Sequence, residues 1–168
     1  FIFNAPEELP GALKASGFTV LSTANNHAYD QGAQGVVETL ERLETAGLVW
    51  IGGGRDQAQA ERHCILERKG IKIAFLAFTD LFNTNLNREG KGPWVRPLNV
   101  SSPDAVKAVR MLADLVVVSV HWGVEYEHQP RPRQRDMAAR LIGAGADLVI
   151  GHHPHVLQPL EWLEADGR

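Results

Sequence analysis

The sequence predicts an α/β domain in which a mainly parallel sheet is covered by helices. Two observations indicate this class. Short apolar segments alternate with amphipathic ones along the chain, and segments such as 115–120 and 147–150 consist almost entirely of aliphatic residues. Such strands are typical of parallel sheets that are buried on both faces. The length of 168 residues is sufficient for one domain with a hydrophobic core and too short for two large ones.

The first part of the chain predicts two helices and two strands. Residues 6–16 form a short helix that ends before a glycine, and residues 18–23 form the first strand. Residues 33–46 carry valine and leucine at helical spacing, and this helix also ends before a glycine. A short strand at 48–51 follows, and three consecutive glycines after it indicate a turn.

The rest of the chain predicts a hairpin, a long loop and two further helix–strand pairs. Two apolar runs flank Lys69-Gly70, which is typical of a hairpin. The long loop is rich in Asn, Gly, Pro and Ser, as functional or disordered loops are. In chain order the segments are the hairpin strands 63–68 and 71–79, the loop 80–102, helix 103–113, strand 115–120, helix 133–144 and strand 147–150.

The composition excludes several functional classes. The chain has 17 Lys and Arg against 20 Asp and Glu, and its formal charge of −3 is not the positive field that nonspecific DNA binding requires. We therefore expect no nucleic acid partner. The single cysteine, Cys64, excludes an internal disulfide framework. No apolar run reaches the roughly 18 residues of a transmembrane helix.

Histidines follow three of the predicted strands. Five of the seven histidines lie in three short segments: His27 follows strand 18–23, His121 follows 115–120, and a Gly-His-His-Pro-His segment follows 147–150. Because parallel strands bring their carboxyl ends to one edge of a sheet, we expect these imidazoles to meet. Neutral imidazoles bind Zn, Fe, Mn, Ni or Co, and a metal-bound water can act as a nucleophile. The alternative for each histidine alone is a capping or hydrogen-bonding residue.

The last histidine segment offers the densest set of ligands. His153 and His155 form a compact ligand pair, and His152 is the alternative in register or a neighbour that hydrogen-bonds a ligand. Asn26, directly before the first histidine, offers a carbonyl oxygen as a further ligand.

Two carboxylates lie close in sequence to the isolated histidines. Asp30 lies three residues after His27, and Glu125 lies four residues after His121. Carboxylates at such positions orient an imidazole and raise its basicity. We therefore expect each acid to hold its histidine in place.

Three segments resemble signatures of one protein family. Residues 25–32 (NNHAYDQG) resemble the NNHxxDxG signature of the CapA family, the bacterial poly-gamma-glutamate capsule biosynthesis proteins. Residues 121–126 (HWGVEY) resemble its HWGxEY, and residues 145–158 resemble its GADLVIGHHPHVLQ. The order and spacing agree with the family from about residue 3 onward. The resemblance implies a single CapA-like domain over residues 1–168.

The CapA family is similar in fold to the calcineurin-like metallophosphoesterases. The resemblance therefore implies a four-layer α/β/β/α sandwich with a binuclear metal site. The family's first strand, which carries a Gly-Asp metal motif, does not occur before Phe1, and the family pattern continues past residue 168. We thus expect a partial sandwich without its N-terminal strand, truncated at both ends, that binds metal weakly and catalyses poorly by itself.

The same resemblance implies roles for individual residues. The metal ligands are Asn26, His121, His153 and His155, with His152 as the alternative in register. His27 and Asp30 act on the leaving group. Asn25 and Glu125 contact the ligands and position them without binding the metal themselves. The implied cofactors are divalent ions, two in the full-length protein, of Mn, Fe or Zn.

Two functions agree with these residues. The first is a hydrolase in which metal-activated water attacks a phosphoester or a related acyl or amide centre. The second is a non-catalytic factor in capsule polymer synthesis or export that binds metal and polyanionic poly-gamma-glutamate. A third alternative, a structural zinc domain, is disfavoured because such domains are rich in cysteine.

Both main functions imply an anionic ligand. It is a small molecule or a polymer, and other capsule-synthesis membrane proteins are the expected partners. Arg88, Arg96 and Arg131 are candidate substrate contacts, and the alternative for them is a solvated loop and an ordinary helix start. The location is open between a membrane-anchored extracellular protein and a cytoplasmic one, because an anchor would lie upstream of Phe1.

Overall fold

The computed structural model describes residues 1–89 and 91–164, and within them it shows a mixed α/β fold with three sheets. The helices are α1 (Leu9–Ala15), α2 (Gly32–Thr45), α3 (Gln57–Ala60), α4 (Ser102–Arg110) and α5 (Pro132–Gly143). The strands are β1 (Val20–Ser22), β2 (Val49–Ile51), β3 (Gly53–Gly54), β4 (Cys64–Arg68), β5 (Ile71–Thr79), β6 (Trp94–Val95), β7 (Leu115–His121) and β8 (Leu148–His152). Gly90 and residues 165–168 of the predicted domain lie outside the described residues.

The main sheet has the order β4-β5-β7-β8. β5, β7 and β8 are parallel, and β4 joins antiparallel to β5 through the predicted hairpin. β1 and β2 form a separate parallel pair, and β3 pairs antiparallel with β6. The α/β class and the mainly parallel main sheet are thus confirmed.

The interior strand β5 packs on both of its faces. Leu76 and Phe78 point to one face, where they share a core with Val106 of α4 and Leu141 of α5. Ala77 points to the other face and shares a second core with Leu40 of α2 and Ile51 of β2. Alternate residues of a strand point to opposite faces, so each face needs its own cover. Burying one such leucine or phenylalanine contributes about 1.5–3 kcal/mol.

Some boundaries differ from the predicted ones. The predicted turn at 52–54 contains β3, and the predicted loop 80–102 contains β6, which pairs with it. Gly54 allows α3 to approach, because a Cβ there would collide with the backbone nitrogen of Ala60. Elements this short have too little apolar periodicity to be recognised from sequence. None of the helices in the described residues has the length and apolar character needed to cross a bilayer.

The register of the main sheet places its polar ends side by side. Thr79 pairs with His121, and His121 pairs with His152, so three strands end at the same level. β1 does not belong to this sheet, in contrast to the expectation that one sheet edge carries all three histidine segments. The segment after β1 reaches the same place because the second core packs the β1–β2 pair against β5.

Candidate metal centre

A chain of polar contacts runs across the ends of β7 and β8. His121 is 8% exposed; its Nδ1 lies 2.7 Å from Nδ1 of His152, and its Nε2 lies 2.9 Å from Oδ1 of Asn26. Behind them, Oγ of Ser119 lies 2.9 Å from Nε2 of His152. Since an amide oxygen only accepts, Nε2 of neutral His121 donates to Asn26, and its Nδ1 accepts from His152. Ser119 then donates to His152, so every proton in the chain is assigned.

His121 and His152, the two histidines of this hydrogen-bonded series, are held in their neutral form. Burial, followed by the nearby His152 and His153 rings, lowers the pKa of His121 to about 3. Burial also lowers the pKa of His152, with a smaller contribution from His153. Neutral imidazole is the form that binds a metal ion. His121 and His152 are therefore uncharged at neutral pH.

Asn26 is held by a residue that the sequence analysis did not single out. Nδ2 of Asn26 donates to Oδ1 of Asn83 at 3.1 Å, and the backbone nitrogen of Asn83 donates to the carbonyl of Asn26 at 3.1 Å. These two hydrogen bonds fix the amide so that its oxygen points at His121. Asn83 follows the carboxyl end of β5, so the same strand-end argument that selected the histidines would have found it.

His27 is held by contacts with Asp30, Asn25 and Phe3. Its Nδ1 lies 2.8 Å from Oδ2 of Asp30, and its backbone nitrogen donates to Oδ1 of Asn25 at 2.9 Å. The ring of Phe3 packs edge-on against the imidazole at a centroid distance of 4.6 Å. Phe3 also donates its backbone N–H to Asp30 at 2.8 Å. Phe3 gave no sequence signal, because the contact joins an extended terminal segment to a distant loop.

The carboxyl group of Asp30 is ionised in this setting. Burial acts to raise its pKa, but the hydrogen bonds from Phe3 and His27 together outweigh it, and the pKa lies below its ordinary value. The carboxylate thus accepts the Nδ1 proton of His27, and the other ring nitrogen, Nε2, lies 3.5 Å from Nδ2 of Asn83.

A second group of ligand atoms comes from the segments that follow β7 and β8. Atoms of Glu125, His153 and His155 all lie within 4.8 Å of one another. Nδ1 of His153 is buried and has no hydrogen-bond partner among the described residues. Burial lowers the pKa of His153, and the Glu125 carboxylate partly opposes this effect. Glu125 thus lies against this pair rather than orienting His121, whose two ring nitrogens face His152 and Asn26.

Members of both groups line one cleft of about 350 Å³. The ring of His153 lies between them, 4.8 Å from the ring of His121 and 5.8 Å from that of His155, measured between centroids. Asn26, Asn83 and Glu125 line the same cleft. The structure therefore brings together residues from all three predicted histidine segments.

The predicted substrate-binding arginines lie elsewhere. The guanidinium of Arg96 is buried over the ring of Phe78, 4.5 Å from its centroid. Arg131 forms two hydrogen bonds to Glu127 at 2.9 and 2.6 Å, and Arg88 forms a backbone bridge with Lys91. Among the described residues that line the cleft, none is Lys or Arg. The role of these arginines in substrate binding stays a prediction.

The residues present fit a divalent metal ion. Binding of a metal through Nε2 requires the His121 tautomer that carries its proton on Nδ1. The 2.9 Å between Nε2 of His121 and Oδ1 of Asn26 is close to the spacing of about 3 Å between neighbouring ligands of an octahedral ion at bond lengths near 2.0–2.2 Å. The unpartnered Nδ1 of His153 adds a buried nitrogen that needs a partner. Neutral nitrogen and oxygen donors of this kind suit Zn, Mn or Fe.

The sequence profile of the family described as "Bacterial capsule synthesis protein PGA_cap" matches residues 1–167. The chain belongs to this family. The resemblance to CapA noted on residues 25–32, 121–126 and 145–158 is thereby confirmed.

Relatives of the PGA_cap chain include two Bacillus proteins and one from Mycobacterium tuberculosis. "Capsule biosynthesis protein CapA" of Bacillus anthracis is 38% identical over 166 residues, which cover 94% of this chain and 40% of that protein. "PGA biosynthesis protein CapA" of Bacillus subtilis is 39% identical over 89% of this chain and 40% of that protein. "Probable polyglutamine synthesis accessory protein" of Mycobacterium tuberculosis is 33% identical over 93% and 44%. The chain thus spans less than half the length of these relatives.

Proposed function

We propose that this PGA_cap chain forms the metal-binding part of a hydrolase that acts in the biosynthesis of poly-gamma-glutamate capsule. The observation that carries the proposal is the 2.9 Å approach of Asn26 and His121 from two different sheets, with His153 beside them. A paired amide oxygen and neutral imidazole at the end of parallel strands is chemistry suited to a Lewis-acid metal. Mn, Fe or Zn is the proposed ion, with two ions in the full-length protein.

The proposed fold is part of an α/β/β/α sandwich of the metallophosphoesterase type. Two features support it. One face of the main sheet is covered by α4 and α5, and the other face shares a core with β1, β2 and α2. The proposed centre lies where the ends of both sheets meet, which is where side chains from both can reach one ion.

The proposed mechanism divides the work between the metal ligands and His27. Asn26, His121, His153 and His155 would together hold the divalent ions, which would supply a nucleophile at neutral pH and neutralise negative charge on the substrate. Asp30 accepts the Nδ1 proton of His27, so Nε2 is the atom that exchanges a proton with the leaving group.

We propose that an anionic substrate binds in the cleft through the metal ion and not through a cationic side chain. The described residues that line it include the carboxylate of Glu125 and no cationic side chain. An anionic phosphoester or polyglutamate would be repelled by this surface without a cation. We expect substrate binding to require the divalent ion.

Hydrolysis of bis-p-nitrophenyl phosphate by the full-length gene product with Mn²⁺ tests the proposal. His121→Ala should abolish turnover, and His63→Ala, a change at an exposed position before β4, should leave it intact. If no divalent metal supports turnover of this diester or of capsule polymer, the hydrolase proposal fails.

A second function is favoured by the names of the relatives. One is called an accessory protein, and the Bacillus relatives are called biosynthesis proteins. In this alternative the same centre binds metal and poly-gamma-glutamate without turnover, next to the membrane proteins of capsule synthesis. Retention of poly-gamma-glutamate that is lost with EDTA and restored by Mn²⁺, without cleavage, would support it.

A further inference from the structure

The turn that carries Glu125 is fastened to the loop after β8. The backbone nitrogen of Trp122 donates to the carbonyl of His152 at 3.0 Å, and that of Tyr126 donates to the carbonyl of Pro154 at 2.7 Å. These hydrogen bonds lie on either side of Glu125. They hold its backbone against the His153–His155 segment independently of any ligand.

The backbone of both segments is in a conformation that aims these side chains. His153 has a φ of 107° and His155 a φ of 59°, values that residues with a side chain rarely adopt. Gly123 has a φ of 93°, and a Cβ there would lie 2.8 Å from Nε2 of Gln134 and 3.3 Å from Cγ of Pro154. The turn can therefore pack this closely only with glycine at 123.

The ligand atoms of Glu125, His153 and His155 lie within 4.8 Å of one another. In a tetrahedral site with bonds near 2.0 Å they would be about 3.3 Å apart. Glu125 and His155 are exposed, so their side chains can close the difference by small rotations. His121 takes no part in this set, because its nitrogens face Asn26 and His152.

We propose that Glu125 is a metal ligand, and that with His153 and His155 it forms a two-histidine, one-carboxylate subsite for a divalent transition metal on the solvent side of the cleft. This inference deepens the proposed function and rests on it. One carboxylate with two neutral imidazoles leaves a divalent ion with a net positive charge. The ion keeps open positions toward the cleft, where an anion can bind.

Calorimetric titration of the metal-free, full-length gene product with Zn²⁺ tests the ligand role. Glu125→Gln keeps the size of the side chain and its ability to accept a hydrogen bond, but it removes the charged ligand. We expect it to lose one equivalent of Zn²⁺ or to bind it more than about tenfold more weakly. The matched control is Glu67→Gln on β4, at the opposite end of the main sheet, which should titrate as the wild type does. An unchanged titration of Glu125→Gln would overturn the proposal.

A crystal soaked in Zn²⁺ separates a ligand from a residue that merely supports the ligands. We expect an anomalous peak at about 2.0–2.2 Å from a carboxylate oxygen of Glu125. Zinc on His153 and His155 with both Glu125 oxygens outside bonding distance, or no zinc at this pair, would refute the subsite. The peak without turnover would leave the subsite standing and sink only the hydrolase proposal. Turnover without the peak would refute the subsite and leave the hydrolase proposal standing.

Discussion

Nε2 of His121 lies 2.9 Å from Oδ1 of Asn26, although 95 residues separate them in the chain. His121 ends β7 of the main sheet, and Asn26 follows β1 of the separate β1–β2 pair. The contact therefore joins the ends of two sheets at one point. Both groups are buried, so neither can exchange its partner for water without cost. Metal binding would use the same two atoms, which makes this contact central to the function proposed for the chain.

Asn26→Ala should weaken both metal binding and the fold. It removes a proposed ligand and leaves the buried Nε2–H of His121 without an acceptor, which costs about 1–3 kcal/mol. Urea unfolding without metal should show the lower free energy of unfolding, and titration with Mn²⁺ should show the weaker affinity. Asn4→Ala, at an exposed position, is the control and should change neither. Wild-type stability and affinity in Asn26→Ala would contradict the prediction.

Stability should fall as the pH decreases from about 6.5 toward 3. The pKa of His121 is lowered from 6.5 to about 3 in the fold, so over this range the unfolded chain binds a proton that the folded chain does not. The free energy of unfolding of the metal-free protein, measured across this range, should therefore decrease as the pH is lowered. His121→Asn should flatten this dependence, whereas the exposed His63→Asn should not. Equal pH dependence in wild type and His121→Asn would count against the neutral, buried imidazole.

Asp30→Asn should impair turnover more than metal binding. The change removes the carboxylate that lies 2.8 Å from Nδ1 of His27, but it leaves Asn26 and His121 in contact. We expect kcat to fall by about 10²-fold or more, the usual size of an acid–base contribution, with little change in Mn²⁺ affinity. Asp104→Asn, in the first turn of α4, is the matched control. A fall in metal affinity equal to the fall in kcat would show instead that Asp30 supports the ligands.

Gly123→Ala should destabilise the site loop. The residue has a φ of 93°, and its Cβ would meet the side chain of Gln134 at 2.8 Å. Strain of this kind costs about 1–3 kcal/mol. Thermal unfolding should show the loss, and Gly11→Ala is the control because no atom lies within 4 Å of its Cβ. Because Gly11 lies in α1, Gly11→Ala should leave the melting temperature unchanged or raise it. Equal melting temperatures for the two variants would argue against a strained turn.

Much of the fold could be predicted from local pattern. The valine-rich strand before His121 and the leucine spacing of α2 are strong signals, because each element must present apolar side chains on the side that it buries. β3, β6 and α3 could not be found, since two to four residues carry no period. β1 was expected in the same sheet as β7, but its pairing with β2 depends on contacts between distant segments.

The candidate site could be predicted in part for the same reason. Histidines directly after strands indicate where ligands collect, because chain direction determines which edge a strand end reaches. Asn83 follows the end of β5, so the same argument applies to it, but Phe3 gives no such signal because its contact with His27 joins a terminal segment to a distant loop. The sequence also could not predict that Arg96 is buried over Phe78, since an arginine in a loop has no periodicity that indicates burial.

The sequence by itself determined the α/β class, the membership in the PGA_cap family and the histidine segments, because these depend on residue types and their order. Only the tertiary structure decided that Asn26 faces His121, that His152 lies behind His121, and that Glu125 lies with His153 and His155. The physical reason is that the direction of a side chain at a strand end depends on how two sheets pack and on left-handed backbone at single residues. Neither of these is encoded in a local pattern.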